Sequence, residues 1–445
     1  MTRYFNEAIE TASTQQLVSL QERKLRAQVR YLHAHSELMR EKLSSVGAAP
    51  DDVRTVEDLA QLPFTTKEEL RSSQSIAPPL GRHVAATDGI VRVHASSGTT
   101  GVPSYVAVTE HDRQIWIEGV SRAYWSQGLR PTSKLAMGFG IGFFVGGIPI
   151  AEAAAKIGCL FIPVGTGASD RLLTASKALG ADCLTCTPSY ATYLIEYARS
   201  KVNLDVSTLG IRHLFMGAEP GGGIPEVRRG LSEAWGAQVS ESVGNADVLP
   251  IHSAECEYRQ GNHFLVPDFV IMEIIDPKTG EVQSMDRPTL SGEMVFTHID
   301  RQCVPLLRFR TYDHVEVDTR PCPCGRTGPR IRCVGRTDDM LIIRGTNVWP
   351  SAIKDVIMSM RPRTNGEVQI LLEQPGPAVQ PPLRLHVEGA GSASELDQLR
   401  KDIESQLREK LIFKSRVEIV PPGSLPRYEM KARLIRRLYE EGGKS

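Results

Sequence analysis

The chain has 445 residues, which exceeds the size of most single domains and predicts two or three of them. Lys plus Arg and Asp plus Glu both number 52, so charge does not favour nucleic acid or an anionic membrane as the main partner. No apolar run approaches the roughly 20 residues of a membrane span, and no signal-peptide pattern is visible. We therefore expect a soluble, cytoplasmic protein. Its eight unevenly spaced cysteines are expected to be thiols or metal ligands rather than disulfides.

The first half of the chain alternates helical and strand-like patterns. Apolar residues at helical spacing between about 6 and 46 predict amphipathic helices. From about 91 to 236, short apolar runs alternate with helical patterns, which is typical of an α/β domain with a largely parallel sheet. The clearest predicted strands are Lys134–Phe139 and Gly158–Val164, and the clearest predicted helices are Arg171–Leu179 and Ser189–Arg199.

The second half becomes rich in strands and then ends in a small mixed unit. Strand and turn patterns run from Phe264 to Val317, with a turn at Asp276–Gly280. Beyond Gly335 the pattern predicts a compact α+β domain. Its predicted elements are strands at Met340–Ile343, near Gln369–Leu372 and at Leu383–Val387, a helix from Pro350, a loop at Gln374–Pro382 and a helix at Ser394–Leu411. The predicted domains are residues 1–336 and 337–445, and no internal repeat is visible.

One hexapeptide concentrates groups that bind phosphate. Its sequence is Ser96-Ser97-Gly98-Thr99-Thr100-Gly101. Glycines let the main chain approach oxyanions closely, successive N–H groups form an anion-binding concavity, and the hydroxyls add uncharged donors. Val102-Pro103 follow, so this is not the P-loop signature, in which a lysine follows the second glycine. The stretch predicts a polyphosphate site, with a polar turn between two strands as the alternative.

Other phrases accompany this loop in order along the chain. They are His94–Gly101, Met216–Pro220, Gly335–Asp339, Asp338–Val348 and Pro426–Lys431. With them the chain resembles the adenylate-forming superfamily and, within it, the phenylacetate–CoA ligase family. The resemblance implies an α/β fold with a large N-terminal α/β domain, a β-rich subdomain and a small mobile C-terminal α+β domain. It also implies two half-reactions: a carboxylate attacks the α-phosphate of ATP to give an acyl-adenylate and pyrophosphate, and a thiol then displaces AMP.

The resemblance assigns the nucleotide to a defined set of residues. Ser96, Ser97, Gly98, Thr99, Thr100 and Gly101 are expected to hold the β- and γ-phosphates, and Ala218, Glu219 and Pro220 to lie along the adenine. A surface turn is the alternative for Glu219 and Pro220. Asp313 matches the carboxylate that accepts both ribose hydroxyls, a role suited to a group with two acceptor oxygens, and Arg336 matches its neighbour at the ribose.

Asp247 is expected to hold Mg²⁺. It stands where the family usually has a glutamate, and a shorter carboxylate is still a hard oxygen ligand. The alternative is a cap or turn residue beside Gly244-Asn245.

The resemblance places the moving parts in the C-terminal domain. Lys431 matches the catalytic lysine that reaches the carboxylate and the α-phosphate, and its flexible point charge suits a group that must arrive and leave. Asp338 matches the hinge about which the small domain turns. Arg344 and Gly345 would then face the path of the CoA thiol, with Gly345 leaving room for pantetheine.

The resemblance places the acid pocket at residues 139–147, which match the family's aromatic-acid segment, and glycines interleaved with phenylalanines there suit a flat slot for an aromatic ring. The expected pocket residues are Phe139, Gly140, Phe143, Phe144, Gly146, Gly217 and Asn245. The alternative is an ordinary buried turn at the start of a helix, and some of the phenylalanines are expected in the core.

The chain departs from the family pattern at three positions. Val102 replaces a common lysine, Val243 replaces a tyrosine, and Asp247 replaces the glutamate. None of these changes removes an essential group, but together they indicate a specialised member and put phenylacetate itself in doubt as the substrate.

A cysteine and histidine pattern predicts a structural zinc site. Cys256, His263, Cys322 and Cys324 combine soft thiolates with an imidazole, and the last two cysteines share a tight turn. The rival ligands are Cys303 and Cys333, and buried inert thiols are the plain alternative.

The predicted function is an ATP-dependent aryl-carboxylate–CoA ligase that uses ATP, Mg²⁺ and CoA, with a structural Zn²⁺. One alternative transfers the aryl group to a carrier protein or another acceptor, and a second is a non-catalytic nucleotide-binding relative. The expected partners are an aromatic carboxylic acid, ATP and CoA, with neither nucleic acid nor a membrane. The sequence leaves open whether the protein is a monomer or a homodimer.

Overall fold

A computed structural model of the protein describes residues 2–96, 104–337, 339–343, 346–428 and 434–441. Its contacts divide the chain into two compact units: unit 1 contains Met1–Cys186, Leu209–Ala218 and Ser240–Cys333, and unit 2 contains Thr187–Thr208, Glu219–Val239 and Val334–Ser445. The boundary between the predicted domains at residue 336 stays a prediction. Within the described part of the chain, every helix is too short or too polar to cross a membrane.

Both units contain helices. They are α1 (Glu7–Glu10), α2 (Thr14–His35), α3 (Glu37–Ser45), α4 (Lys67–Ile76), α5 (Glu110–Ser126), α6 (Ile148–Ile157), α7 (Ser169–Leu179), α8 (Pro188–Tyr197), α9 (Pro225–Trp235), α10 (Pro350–Met358), α11 (Ala393–Leu411) and α12 (Leu438–Glu441). The helices predicted near 171–179, 189–199 and 394–411 are confirmed as α7, α8 and α11.

Strands in the described residues begin at Ile90. They are β1 (Ile90–Ala95), β2 (Tyr105–Thr109), β3 (Lys134–Met137), β4 (Leu160–Ile162), β5 (Cys183–Cys186), β6 (His213–Met216), β7 (Gln238–Asn245), β8 (Leu249–Glu255), β9 (Asn262–Phe264), β10 (Val270–Ile275), β11 (Thr289–His298), β12 (Phe309–Asp318), β13 (Arg330–Arg336), β14 (Leu341–Ile343), β15 (Thr346–Val348), β16 (Thr364–Leu372), β17 (Ala378–Val379), β18 (Leu383–Gly389), β19 (Ser415–Val420) and β20 (Ile435–Arg437).

The largest sheet confirms the predicted α/β class. Among the described residues it has eleven strands, in the order β10-β11-β12-β13-β9-β8-β7-β6-β5-β3-β4. Strands β3 to β6 pair in parallel, as their alternation with helices predicts, whereas the β-rich part pairs antiparallel. Strands β1 and β2 form a separate antiparallel pair. Because parallel strands end at one edge, the loops after β3, β5 and β6 share that edge.

The core of unit 1 is built from the helical stripe predicted at the N-terminus and from the sheet. Leu25, Val29 and Leu32 of α2 are fully buried in a cluster that includes residues of β10, β11 and β12. Helix α2 begins with a capping box, in which the backbone N–H groups of Ser13 and Gln16 each donate to the other residue's side chain. The apolar stripe is therefore packing surface.

Unit 2 contains the compact α+β fold predicted for the end of the chain. One sheet has the order β19-β18-β16-β20 and a smaller one the order β15-β14-β17. Leucines and isoleucines of α10 and α11 are buried with these sheets. The prediction of a loop throughout Gln374–Pro382 is wrong at β17, where Ala378 and Val379 pair in parallel with Ile342 and Ile343. A strand of two residues has no periodicity for a sequence pattern to display.

Candidate active site

The predicted acid segment follows the carboxyl end of β3, the edge where α/β sheets bind ligands. The backbone N–H of Gly138 donates to the carbonyl of Thr185, 2.8 Å away, which ties the start of the segment to β5. The segment then folds back on itself, since a side chain at Gly147 would meet the backbone of Gly140 and Ile141. Glycine is therefore required at position 147.

The aromatic residues of this segment divide between core and surface. Phe139 and Ile141 pack against the buried cluster between α5, α6 and β3. Phe143 and Phe144 instead keep 49% and 36% of their surface exposed. Exposed phenylalanines on a loop at this edge provide apolar faces that a planar ligand can cover.

The end of β1 joins the acid segment to the base of the phosphate loop. The N–H of Ala95 donates to the carbonyl of Phe143 over 3.1 Å, and the Nδ1 atom of His94 lies 3.3 Å from the same oxygen. One residue further on, the N–H of Ser96 donates to the carbonyl of Ser104 over 2.9 Å. Burial, reinforced by the nearby Arg92, lowers the pKa of His94, so its imidazole is neutral at pH 7. The acid segment and the first phosphate-loop residue are therefore neighbours.

The predicted adenine segment occupies the turn after β6. Gly217 is buried, and a side chain there would meet the Ser242 hydroxyl. Ala218 has a φ of 69°, a left-handed conformation that is unusual for a residue with a side chain and typical of functional turns. The carboxylate of Glu219 accepts the backbone N–H of Ser189 over 2.7 Å, at the first turn of α8. The adenine role of Ala218, Glu219 and Pro220 stays a prediction.

Asp247 is held by a lysine. The Nζ atom of Lys67 lies 2.6 Å from both carboxylate oxygens, and the two side chains are 20% and 9% exposed. Asn245 accepts the backbone N–H of Asp247 over 2.9 Å, so its amide oxygen shapes the turn. One carboxylate suffices for Mg²⁺, which usually keeps several waters and binds substrate phosphates. The chemistry of Asp247 therefore suits a magnesium ligand, and an ion bound there would take the place of the Lys67 ammonium.

The start of α4 places Lys67 opposite Asp247. Thr66 and Glu69 form a capping box, which makes Lys67 the first residue of the helix. Thr65 is bonded to the start of β12, because its N–H donates to the carbonyl of Arg308, just before the strand, and its carbonyl accepts the N–H of Arg310 within it. Lys67 thus projects from a well-anchored helix terminus.

Asp313 lies on a bulge in β12. In the pairing with β11, Glu293 lies opposite His314 and Val295 lies opposite Arg310. Residues 311–313 therefore stand opposite the single residue Met294. Tyr312, within the bulge, has a φ of 60°. Bulges turn side chains away from the regular alternation and are common beside active sites. Arg336 is the last residue of β13. The ribose roles of Asp313 and Arg336 stay predictions.

The predicted zinc residues come together. One ligand atom from each of Cys256, His263, Cys322 and Cys324 lies within 4.8 Å of the others, and all four residues are buried. The Cys256 and Cys322 sulfurs are 3.8 Å apart, close to the about 3.8 Å expected between two thiolates on one tetrahedral zinc ion. The cluster therefore fits a closed zinc site, whereas Cys303 lies in a different cluster.

Hydrogen bonds in the cluster favour ionisation at one sulfur. The hydrogen bond from Cys256, helped by His263 and opposed by burial, lowers the pKa of Cys324. The same bond and burial raise the pKa of Cys256. The Nδ1 atom of His263 lies 2.9 Å from the Gly328 carbonyl, which leaves its Nε2 atom, 3.4 Å from the Cys324 sulfur, to face the cluster.

Part of the predicted site lies outside the described residues. This part comprises Ser97, Gly98, Thr99, Thr100, Gly101, Asp338, Arg344, Gly345 and Lys431. Their assignments stay predictions.

Two residues of the site, Lys67 and His94, are not predicted from the sequence. Lys67 belongs to a capping-box pattern, which predicts a helix start but cannot indicate a partner 180 positions away. His94 belongs to the phrase that carries the family resemblance, although no property of that phrase links it to the acid segment.

Comparisons with known proteins agree with the fold. Residues 345–437 match the model of the AMP-binding enzyme C-terminal domain. The phenylacetate-coenzyme A ligase of Thermus thermophilus is 32% identical over 443 residues, which cover 96% of this chain and 97% of that protein. A crystal structure of 2-hydroxyisobutyryl-CoA ligase, in the postadenylation state with R3-HIB-AMP, has a TM-score of 0.91 and 26% identity, covering 100% of this chain and 94% of that one.

A second structure of the 2-hydroxyisobutyryl-CoA ligase contains 2-HIB-AMP and CoA in the thioesterification state. Its TM-score is 0.72 at 28% identity, and it covers 100% of this chain and 96% of its own. The fold and these relatives together identify an adenylate-forming enzyme, an AMP-forming acid–thiol ligase. With this identity over nearly its whole length, the chain belongs to the phenylacetate–CoA ligase family.

Proposed function

We propose that the protein is an aryl-carboxylate–CoA ligase. The aryl carboxylate attacks the α-phosphate of ATP, a P–O bond to pyrophosphate breaks, and the thiol of CoA then displaces AMP from the acyl-adenylate. Ser96 to Gly101 would hold the leaving phosphates, Asp313 the ribose and Lys431 the charge that builds on the α-phosphate. When bound at Asp247, Mg²⁺ would neutralise charge on the phosphates.

The observation that carries the aryl assignment is the exposure of Phe143 and Phe144 beside the base of the phosphate loop. The Phe143 carbonyl accepts from Ala95, so its ring lies on a segment held two residues from Ser97. A planar acid that covers these rings would gain burial and stacking, whereas a long alkyl chain would need a tunnel that this segment does not suggest.

A second candidate substrate class is a small aliphatic hydroxy acid, because the fold of 2-hydroxyisobutyryl-CoA ligase closely resembles the fold of this chain. A panel of acids scored by pyrophosphate release at saturating ATP, with and without CoA, separates the candidates. We expect benzoate, phenylacetate or their hydroxy and amino derivatives to exceed 2-hydroxyisobutyrate and octanoate by about tenfold in kcat/KM, or about 1.4 kcal/mol. Better turnover of either aliphatic acid would exclude the aryl assignment and leave the adenylation chemistry standing.

Paired variants connect this preference to the acid segment. Phe143→Ala should raise KM for the aryl acid about tenfold, the loss expected for one stacked ring, and leave KM for ATP unchanged. Leu179→Ala is the matched control, because Leu179 is also 49% exposed but ends α7. The acceptor is identified separately: formation of a CoA thioester shows that CoA is the acceptor, whereas transfer only to a carrier protein would support the alternative.

A structural zinc ion at Cys256, His263, Cys322 and Cys324 belongs to the same proposal. The cluster would join the N-terminal segment to the β-rich part, because the Tyr4 hydroxyl donates to the Cys324 carbonyl over 2.8 Å. Close by, Arg326 and Glu10 form a buried ion pair at 2.7 Å. Zinc would thus contribute to folding and take no part in the reaction.

A further inference from the structure

A buried carboxylate with an unusually complete set of partners lies near the end of β18. Glu388 is fully buried, and both of its oxygens accept hydrogen bonds. The N–H of Leu425 donates to Oε1 over 2.7 Å, and the side-chain amide of Asn365 donates to Oε2 over 2.5 Å. Such saturation is what a buried charge requires to be tolerated.

Arg427 completes the set with a two-pronged ion pair. Its two terminal nitrogens lie 2.8 Å from Oε1 and 2.7 Å from Oε2 of Glu388. Burial alone would raise the pKa of Glu388, but the guanidinium and the amide donors outweigh it and lower the pKa to about 2. The pair therefore stays ionised throughout the physiological range. A parallel two-bond pair also fixes the orientation of the arginine, which a single lysine contact would not do.

The pair fixes the stretch that leads to the predicted catalytic lysine. Leu425 and Arg427 are both bonded to Glu388, and Lys431 follows four positions after Arg427. Four residues span at most about 14 Å when fully extended, so the anchor is close along the chain to the predicted catalytic lysine. All three residues lie in the region predicted to move as one domain, so rotation of that domain would leave the anchor intact.

We infer that Glu388 is a positioning residue for adenylation: its ion pair with Arg427 forms a clasp that sets where Lys431 is delivered. The inference rests on the proposed function, because it requires Lys431 to act on the α-phosphate. Arg427 has a second, looser carboxylate neighbour, Glu196 of α8, at 3.7 Å. Glu196 is about half exposed and makes one long contact, so it contributes little.

The first experiment separates positioning from plain stabilisation. Adenylation is measured by pyrophosphate exchange, and the second half-reaction by CoA thioester formation from supplied acyl-adenylate. Glu388→Gln keeps the shape but removes the charge, and we expect adenylation to fall about 100-fold in kcat with KM for ATP unchanged, as for a reacting group displaced by about 1 Å. Thioester formation should stay within about twofold, since the proposed role of Lys431 is confined to adenylation.

Glu196→Gln is the matched control, with the same substitution beside the same arginine. It should leave both half-reactions within about twofold. Arg427→Lys is the second test variant, because it keeps the charge and loses the two-pronged geometry, and it should show a weaker form of the same split. An equal loss in both half-reactions for Glu388→Gln and Arg427→Lys would reduce the clasp to a stabilising contact and overturn the inference.

A double-mutant cycle with Lys431→Ala tests the route of the effect. If Glu388 acts through Lys431, the double variant is no slower in adenylation than Lys431→Ala alone. If the double variant instead loses adenylation by the product of the two single losses, the clasp is overturned while the proposed function stays intact. Wild-type adenylation by Lys431→Ala itself would overturn both, since the lysine would then have no role in the reaction.

Discussion

Replacing Lys67 by methionine tests the magnesium assignment of Asp247. In the wild type, the ammonium lies 2.6 Å from both carboxylate oxygens, and the side chains are 20% and 9% exposed. Breaking a buried ion pair costs about 3–5 kcal/mol. Because Lys67 keeps a fifth of its side chain in water, we expect Lys67→Met to lose about 2 kcal/mol, or about 4 °C in Tm.

Magnesium should restore this stability if Asp247 binds it. In the variant the carboxylate has lost its neutralising charge, so a divalent cation can take the place of the ammonium. A ligand at about 100 times its Kd stabilises the folded state by about 2.7 kcal/mol, which is enough to offset the loss. The assay is thermal unfolding in saturating ATP, with and without saturating MgCl₂, because the substrate phosphates supply further ligands of the ion. We expect a Mg²⁺-dependent rise in Tm that is larger in the variant than in the wild type.

A second lysine provides the control. Lys42 pairs with both oxygens of Glu69 at 2.8 and 2.7 Å, and neither residue is a predicted metal ligand. Lys42→Met should lose comparable stability but show the same Mg²⁺-dependent rise in Tm as the wild type. Equal Mg²⁺ responses in Lys42→Met and Lys67→Met would refute the reasoning, and the ion would have to be sought at groups other than Asp247.

Two further predictions concern zinc and acid. Elemental analysis of the purified protein should find about one zinc per chain, because closed thiolate sites retain their metal. The Cys322→Ser/Cys324→Ser double variant should contain no zinc, and stoichiometric zinc in that variant would exclude these ligands. Since the folded-state pKa of Glu388 is lowered to about 2, its ion pair contributes stability above the unfolded-state pKa of about 4.3, and this contribution disappears as the pH falls towards 2. At pH 6, chemical denaturation should therefore give a free energy of unfolding up to about 3 kcal/mol higher for the wild type than for Glu388→Gln, and this difference should shrink steadily between pH 4 and pH 2. A difference that does not change with pH would contradict the assignment.

Local patterns were sufficient for the parts of this protein that are encoded in short stretches. The alternation of apolar runs and helical patterns predicted the parallel strands β3 to β6, and the phrases around Ser96, Met216 and Pro426 indicated the family. Residue chemistry pointed to the four residues of the cysteine and histidine cluster, with Cys303 and Cys333 as rival ligands, and only the structure brought those four together.

Tertiary structure decided which charges meet and where regular strands are interrupted. Lys67 and Asp247 are 180 positions apart, and neither carries a local sign of the other. Glu388 alternates with apolar residues like any strand residue, and only the return of the chain at Leu425 and Arg427 makes it an anchor. The bulge under Asp313 depends on the register between β11 and β12, which cannot be deduced from either strand separately. The physical reason is the same in each case: pairing energies between distant residues depend on distances that the fold sets, whereas propensity and periodicity act within a few residues along the chain.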